Sequence, residues 1–158
     1  MTPLEFISRW SDTDEPLYPI SASRLNKFDL LKENFDFLNI AGLPGYCEPH
    51  LSFVGDADDL SSGICKLTDQ YDFLEDETGY EQYIVIGSCR DGDPIVIDTS
   101  NNDCIVELDH GDLFNPKYFN SSIGALAEFL IIYRDFKIDV LKDKDSGDPM
   151  QIFNFTDG

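Results

Sequence analysis

Gln82-Tyr83-Ile84-Val85-Ile86, Pro94-Ile95-Val96-Ile97-Asp98 and Cys104-Ile105-Val106-Glu107-Leu108 are three short runs rich in β-branched and aromatic residues. The first ends at Gly87, and the linkers between the runs are turn-forming: Cys89-Arg90-Asp91-Gly92-Asp93 and Thr99-Ser100-Asn101-Asn102-Asp103. A parallel crossover needs a dozen or more residues, so connections this short predict an antiparallel meander over 82–87, 94–98 and 104–109.

Working outward, Leu51-Ser52-Phe53-Val54 reads as a further short strand, followed by a polar loop holding Asp56, Asp58 and Asp59. Leu25, Phe28, Leu31, Phe35 and Leu38 step by three or four and predict a helix over 24–38. Ser21 or Ser23 would cap its start, and Gly42 and Pro44 would stop it. Leu4, Phe6, Ile7 and Trp10 make a short amphipathic opening that the charged, proline-ended stretch Ser11–Pro16 breaks. Downstream, Ile123, Leu126, Ala127, Leu130 and Ile131 follow one face of a helix over 122–135 that begins near Ser121 or Ser122. Phe129, Ile132 and Tyr133 widen its apolar surface, so it must be largely buried. The stretch 143–149 reads as an exposed loop, and Met150 to Phe155 as a final edge strand or short helix. Helices outside a contiguous run of antiparallel strands mean α+β. The expectation is one domain over 1–158, its sheet covered on one face by the helices near 24–38 and 122–135.

The charge balance narrows the partners. Thirty-one Asp and Glu against eleven Lys and Arg leave a formal net charge of −20. Such an excess repels nucleic-acid phosphate and anionic membrane surfaces. A basic protein surface is its complement, because opposite fields raise encounter rates by roughly 10–1000-fold. The simpler reading is that the acidity serves solubility alone. The N-terminus lacks a basic region followed by an apolar run, and the longest apolar stretch, around Phe129–Tyr133, is too short to span a bilayer. A cytoplasmic chain, monomeric when free, is expected. Its four cysteines (Cys47, Cys65, Cys89 and Cys104) form no CxxC pair and are expected as reduced thiols.

No residue constellation makes a complete catalytic or metal set. Cys47 and His50 form a Cys-x-x-His pair, but zinc needs two further ligands and a nucleophile needs a positioned base. Asp109-His110 stands at a strand end without a nucleophile, which favours a hydrogen-bonded turn histidine. Asp98–Asp103 spaces its oxygens loosely like a calcium loop, with Asp109 at the twelfth position. Asp103 nevertheless replaces the required Gly, and Asp109 the bidentate Glu. Gly87–Gly92 lacks the Gly-Lys-Ser/Thr ending and the helix of a phosphate loop. The expectation is therefore no enzyme, no cofactor and no metal. The acidic runs Asp56-Asp58-Asp59 and Asp69-Asp72-Glu75-Asp76-Glu77 are ordinary solvated faces or a surface for a cationic partner. The expected contact residues are Asp56, Asp58 and Asp59 with the hairpin residues Asp91 and Asp93.

Three of these stretches, in order, carry a resemblance: Tyr83–Ser88, then Asp91–Asp98, then Ile105–His110. With Asn120-Ser121-Ser122 leading to Leu126 and Phe129-Leu130, they resemble the core of the SUKH superfamily. That superfamily joins the Syd proteins and the yeast glucan-synthesis regulators to many bacterial immunity proteins. The helix ending in Phe37-Leu38 and the Gly42-Leu43-Pro44 turn are similar in particular to its fourth immunity subfamily, and the likeness spans roughly residues 24–136. One departure is the turn Asn101-Asn102-Asp103, where family members often carry Gly. Asn tolerates positive φ, so the fold is expected to survive it. The resemblance implies a non-catalytic immunity protein that binds and neutralises a cognate bacterial toxin of the basic nuclease type. The alternative it implies is a regulatory scaffold like the yeast members.

Overall fold

The computed structural model of the chain describes residues 1–11, 14–48 and 50–145. In chain order the helices and first strands are α1 (Pro3–Trp10), β1 (Leu17–Tyr18), α2 (Ala22–Leu25), α3 (Lys32–Ile40), β2 (Leu43–Pro44), β3 (Tyr46–Cys47), β4 (Leu51–Phe53) and β5 (Cys65–Lys66). Then come α4 (Leu67–Gln70), a 3-10 turn (Asp72–Leu74), β6 (Tyr83–Ser88), β7 (Pro94–Asp98), β8 (Cys104–Asp109), β9 (Asn115–Asn120) and α5 (Ile123–Asp145). The main sheet runs β3-β4-β6-β7-β8-β9 with every pair antiparallel, and β5 pairs with β6 beside β4. The class is α+β, and the meander β6-β7-β8 is antiparallel as expected, with Ile84 opposite Ile97 and Ile97 opposite Ile105.

Alternation along these strands divides the core in two. Ile84, Ile86, Ile95, Ile97 and Ile105 face a large cluster in which Phe6, Phe37 and Leu38 join Ile123, Leu126 and Leu130. Tyr83, Val85, Val96, Val106 and Leu108 point the other way, into a smaller cluster closed by Leu67, Leu74 and Phe114. The two named helices thus cover one face as expected. The second face is also covered, by residues 65–80, which hold β5, α4 and the 3-10 turn and no long helix. Two covers explain why the strand sequences are nearly continuous apolar runs instead of alternating ones.

The expected single helix over 24–38 is instead two, α2 and α3, with a turn between them. The break has a tertiary cause. Asp103 is 2% exposed, and its carboxylate accepts from the backbone N–H of Leu31 (2.6 Å) and from the Asn34 amide (3.3 Å). The Asn34 oxygen in turn accepts from the N–H of Ile123 at the start of α5 (3.1 Å). Holding Leu31 at the head of α3 on this carboxylate overrides the helical stripe. Asn102 and Asp103 sit at φ 54° and 57°, so the turn takes the left-handed geometry that Asn was expected to tolerate.

Three further differences have local reasons. Gly87 lies within β6 and not at its exit: a Cβ there would stand 2.3 Å from the Ser52 carbonyl oxygen of the paired strand β4, and the β6–β7 register shifts between Val85 and Gly87. β9, unforeseen in the sequence, is a polar edge strand whose Pro116 and Lys117 discourage further pairing. α5 runs to Asp145, so residues 143–145 are helical where a loop was expected. The remainder of that loop and the strand or helix expected at 150–155 lie outside the described residues. Gly42 ends α3 as expected, at φ 69° and with its N–H on the Phe37 carbonyl. Among the described residues no helix is long and apolar enough to cross a membrane.

Candidate functional site

The fold takes the candidate catalytic pairs apart. Burial pushes the Cys47 thiol up to about 11, helped by Glu48, so the thiol is neutral at pH 7 and a poor nucleophile. It donates to the Glu48 carbonyl (3.4 Å), while the His50 ring pairs with the Tyr46 hydroxyl (3.2 Å). Nearby, a groove of about 370 Å³ is lined by Trp10, Tyr46, Cys47, Glu48, Arg134 and Lys137. Lys137 pairs with Glu48 (2.8 Å); Arg134 stacks on Trp10 (4.9 Å) and donates through Nη2 to the Arg9 carbonyl (2.8 Å), while its buried Nε and Nη1 find no hydrogen-bond partner among the described residues.

Strand ends bring together Cys89, Asp93 and Glu107, whose potential ligand atoms all lie within 4.8 Å of one another, a grouping invisible at their sequence spacing. Its members are bonded to protein already. Burial pushes the Cys89 thiol up, and it donates to Glu107 (3.4 Å). The Asp93 carboxylate accepts from the backbone N–H of His110 (3.1 Å) and pairs with the His110 ring. Burial opposes ionisation of Asp93, but these His110 contacts outweigh it and hold the carboxyl below its usual range. The histidine read from sequence as a turn residue therefore ties the β6–β7 hairpin to the end of β8.

The acidic residues named as contacts fall into different situations. Arg24 bridges Asp56 and Asp58, with both contacts at 2.7 Å. Asp59 folds back to accept from the backbone N–H groups of Ser61 (3.1 Å) and Ser62 (2.8 Å) and from the Ser61 hydroxyl (2.6 Å). Asp56 and Asp59 are both held below the usual carboxylate range, chiefly by the Arg24 bond and the Ser61 bond respectively. Asp93 is only 8% exposed, whereas Asp91 stands exposed at the hairpin tip. By contrast, Asp72, Glu75, Asp76 and Glu77 are exposed, and among the described residues their carboxylates enter no ion pair. The signal that could have separated the two groups is Arg24, which among the described residues pairs with two carboxylates of the first loop; residues 67–89 contain no Lys or Arg.

Comparison with family models, with curated proteins and with solved structures finds no match to this chain.

Proposed function

We propose that this chain is a non-catalytic binding protein that captures a basic protein, with an immunity role against a cognate toxin as the specific form of that reading. The observation that carries it is the net charge of −20, part of which, among the described residues, stands as exposed carboxylates in no ion pair, Asp72, Glu75, Asp76 and Glu77. A self-repelling surface of this kind lowers its electrostatic energy when a cationic surface covers it. Neutral buried thiols and a histidine committed to Asp93 fit a scaffold better than a reaction centre. The meander order and the SUKH resemblance of residues 24–136 add the immunity role, in which the protein blocks its toxin sterically or as a mimic of a polyanionic substrate.

The test is to immobilise the protein, pass source-cell lysate over it at low salt, elute with salt, and co-express any protein recovered. The expected result is one dominant basic protein whose expression alone arrests growth and whose co-expression with this chain restores it. Recovery of only acidic or neutral proteins would overturn the binding reading. A basic partner that is harmless when expressed alone would remove the toxin and leave the regulatory scaffold.

A further inference from the structure

We infer that the face of the sheet covered by residues 65–80 is the docking site, and that it takes a basic polypeptide segment of the partner carrying arginine or lysine next to an apolar side chain. This rests on the binding reading above and names its surface.

The centre of the surface is apolar and built to project. Phe73 is 66% exposed and Leu113 86% exposed, and they flank the buried ring of Phe114. Phe114 holds Phe73 at 6.3 Å and Tyr80 at 6.1 Å between ring centres, and the Tyr80 hydroxyl donates to the Leu113 carbonyl (3.3 Å). Beside them a groove of about 430 Å³ runs between Tyr80, Tyr83, Leu113, Phe114 and Pro116. Leu113 and Phe114 both adopt left-handed backbone, at φ 53° and 57°, and the Phe114 N–H is fixed to the Asp109 carbonyl (2.8 Å). The display of Leu113 is thus held before any partner arrives, which reduces the ordering cost of binding.

The rim identifies the occupant. Asp72, Glu75, Asp76 and Glu77 surround the aromatic centre in sequence, Asp112 lines the groove, and residues 67–89 offer no cation. Nucleic acid, an anionic membrane and a second copy of this −20 chain are all repelled by such a rim. Arginine fits both parts, because its guanidinium stacks on aromatic faces and bonds carboxylates while its stem packs on apolar surface. Aromatic anchors inside a charged rim are also the usual anatomy of a protein interface. The Asp56–Asp59 loop lacks such a centre, and Arg24 already bridges two of its carboxylates.

The probe is a short fluorescent peptide alternating arginine with leucine, followed by anisotropy at low salt. A counterpart with glutamate in place of arginine is the charge control. The variants are Phe73→Ser combined with Leu113→Asn, since Asn accepts the left-handed backbone, and Asp58→Asn combined with Asp59→Asn. The expected result is binding of the arginine peptide alone, weakened about tenfold or more by the first variant and little by the second, with both variants remaining folded by circular dichroism. Absence of binding to the wild type, equal binding of the glutamate peptide, or full affinity in the Phe73/Leu113 variant would each overturn the docking site. A captured basic partner indifferent to the Phe73/Leu113 variant would remove this surface and leave the binding reading intact. Failure to capture any basic partner is what removes that reading.

Discussion

The two faces of the central sheet are covered by different material. On one, α1, α3 and α5 lay whole helical stripes against Ile84, Ile97 and Ile105, and a buried Asp103–Asn34–Ile123 chain of hydrogen bonds fixes their ends. On the other, a short segment with the four-residue helix α4 and one turn of 3-10 helix covers Val85, Val96 and Val106 and leaves aromatic residues at the surface. The difference teaches a division of labour. The helical face carries the larger buried apolar cluster and hence the larger share of the hydrophobic stabilisation. The second face is thinner, and in the function proposed above its exposed carboxylates and projecting side chains serve contact.

The largest expected contrast is between equivalent truncations on the two faces. Leu130→Ala in α5 is expected near the top, and Leu74→Ala in the 3-10 turn near the bottom, of the ~2–5 kcal/mol range for buried leucines, because a short segment collapses into a cavity more easily than a long helix. Denaturant midpoints measure both, and equal losses would break the comparison. A smaller effect sharpens it at a polar site. Asp103→Gly keeps the left-handed backbone but strands the Leu31 N–H and the Asn34 amide, at a cost of about 1–3 kcal/mol. Asp58→Ala, which removes an exposed bond to Arg24, should leave the midpoint unmoved, because exposed ion pairs stabilise little. The smallest effect is with pH. Asp56, Asp59 and Asp93 have carboxyls held low in the folded chain, so their stabilisation is complete above the unfolded value of about 4 and is lost as pH falls through the lowered folded values. Asp93→Asn should flatten the acid limb of midpoint against pH, and an unchanged limb would show that the His110 contacts contribute nothing.

The strands of the meander were legible because burial on both sides makes their composition unmistakable. The same evidence pointed to a second cover, but a short segment rich in Asp and Glu carries no periodicity and reads as a solvated loop. The 24–38 stripe was legible as helical and misled over the break, since the carboxylate that breaks it sits in another hairpin. β9 was hidden by its polar, edge-protecting residues. The acidic residues of the site could be named but not ranked: the chain order does not show that Arg24 reaches Asp56 and Asp58, or that His110 reaches Asp93. Phe73 and Leu113 were missed because an isolated apolar residue in an acidic loop looks accidental until the fold sets both beside Phe114.

In the proposed function an acidic face steers this protein onto a basic partner. Stopped-flow association with the captured partner, at about 0.1 M and about 1 M salt, tests it directly, because the Debye length shrinks from ~10 Å to ~3 Å over that range. The predicted result is an association rate that falls at least tenfold with salt, together with a weaker salt dependence when Asp76→Asn and Glu77→Gln are combined. A rate indifferent both to salt and to those substitutions would contradict it.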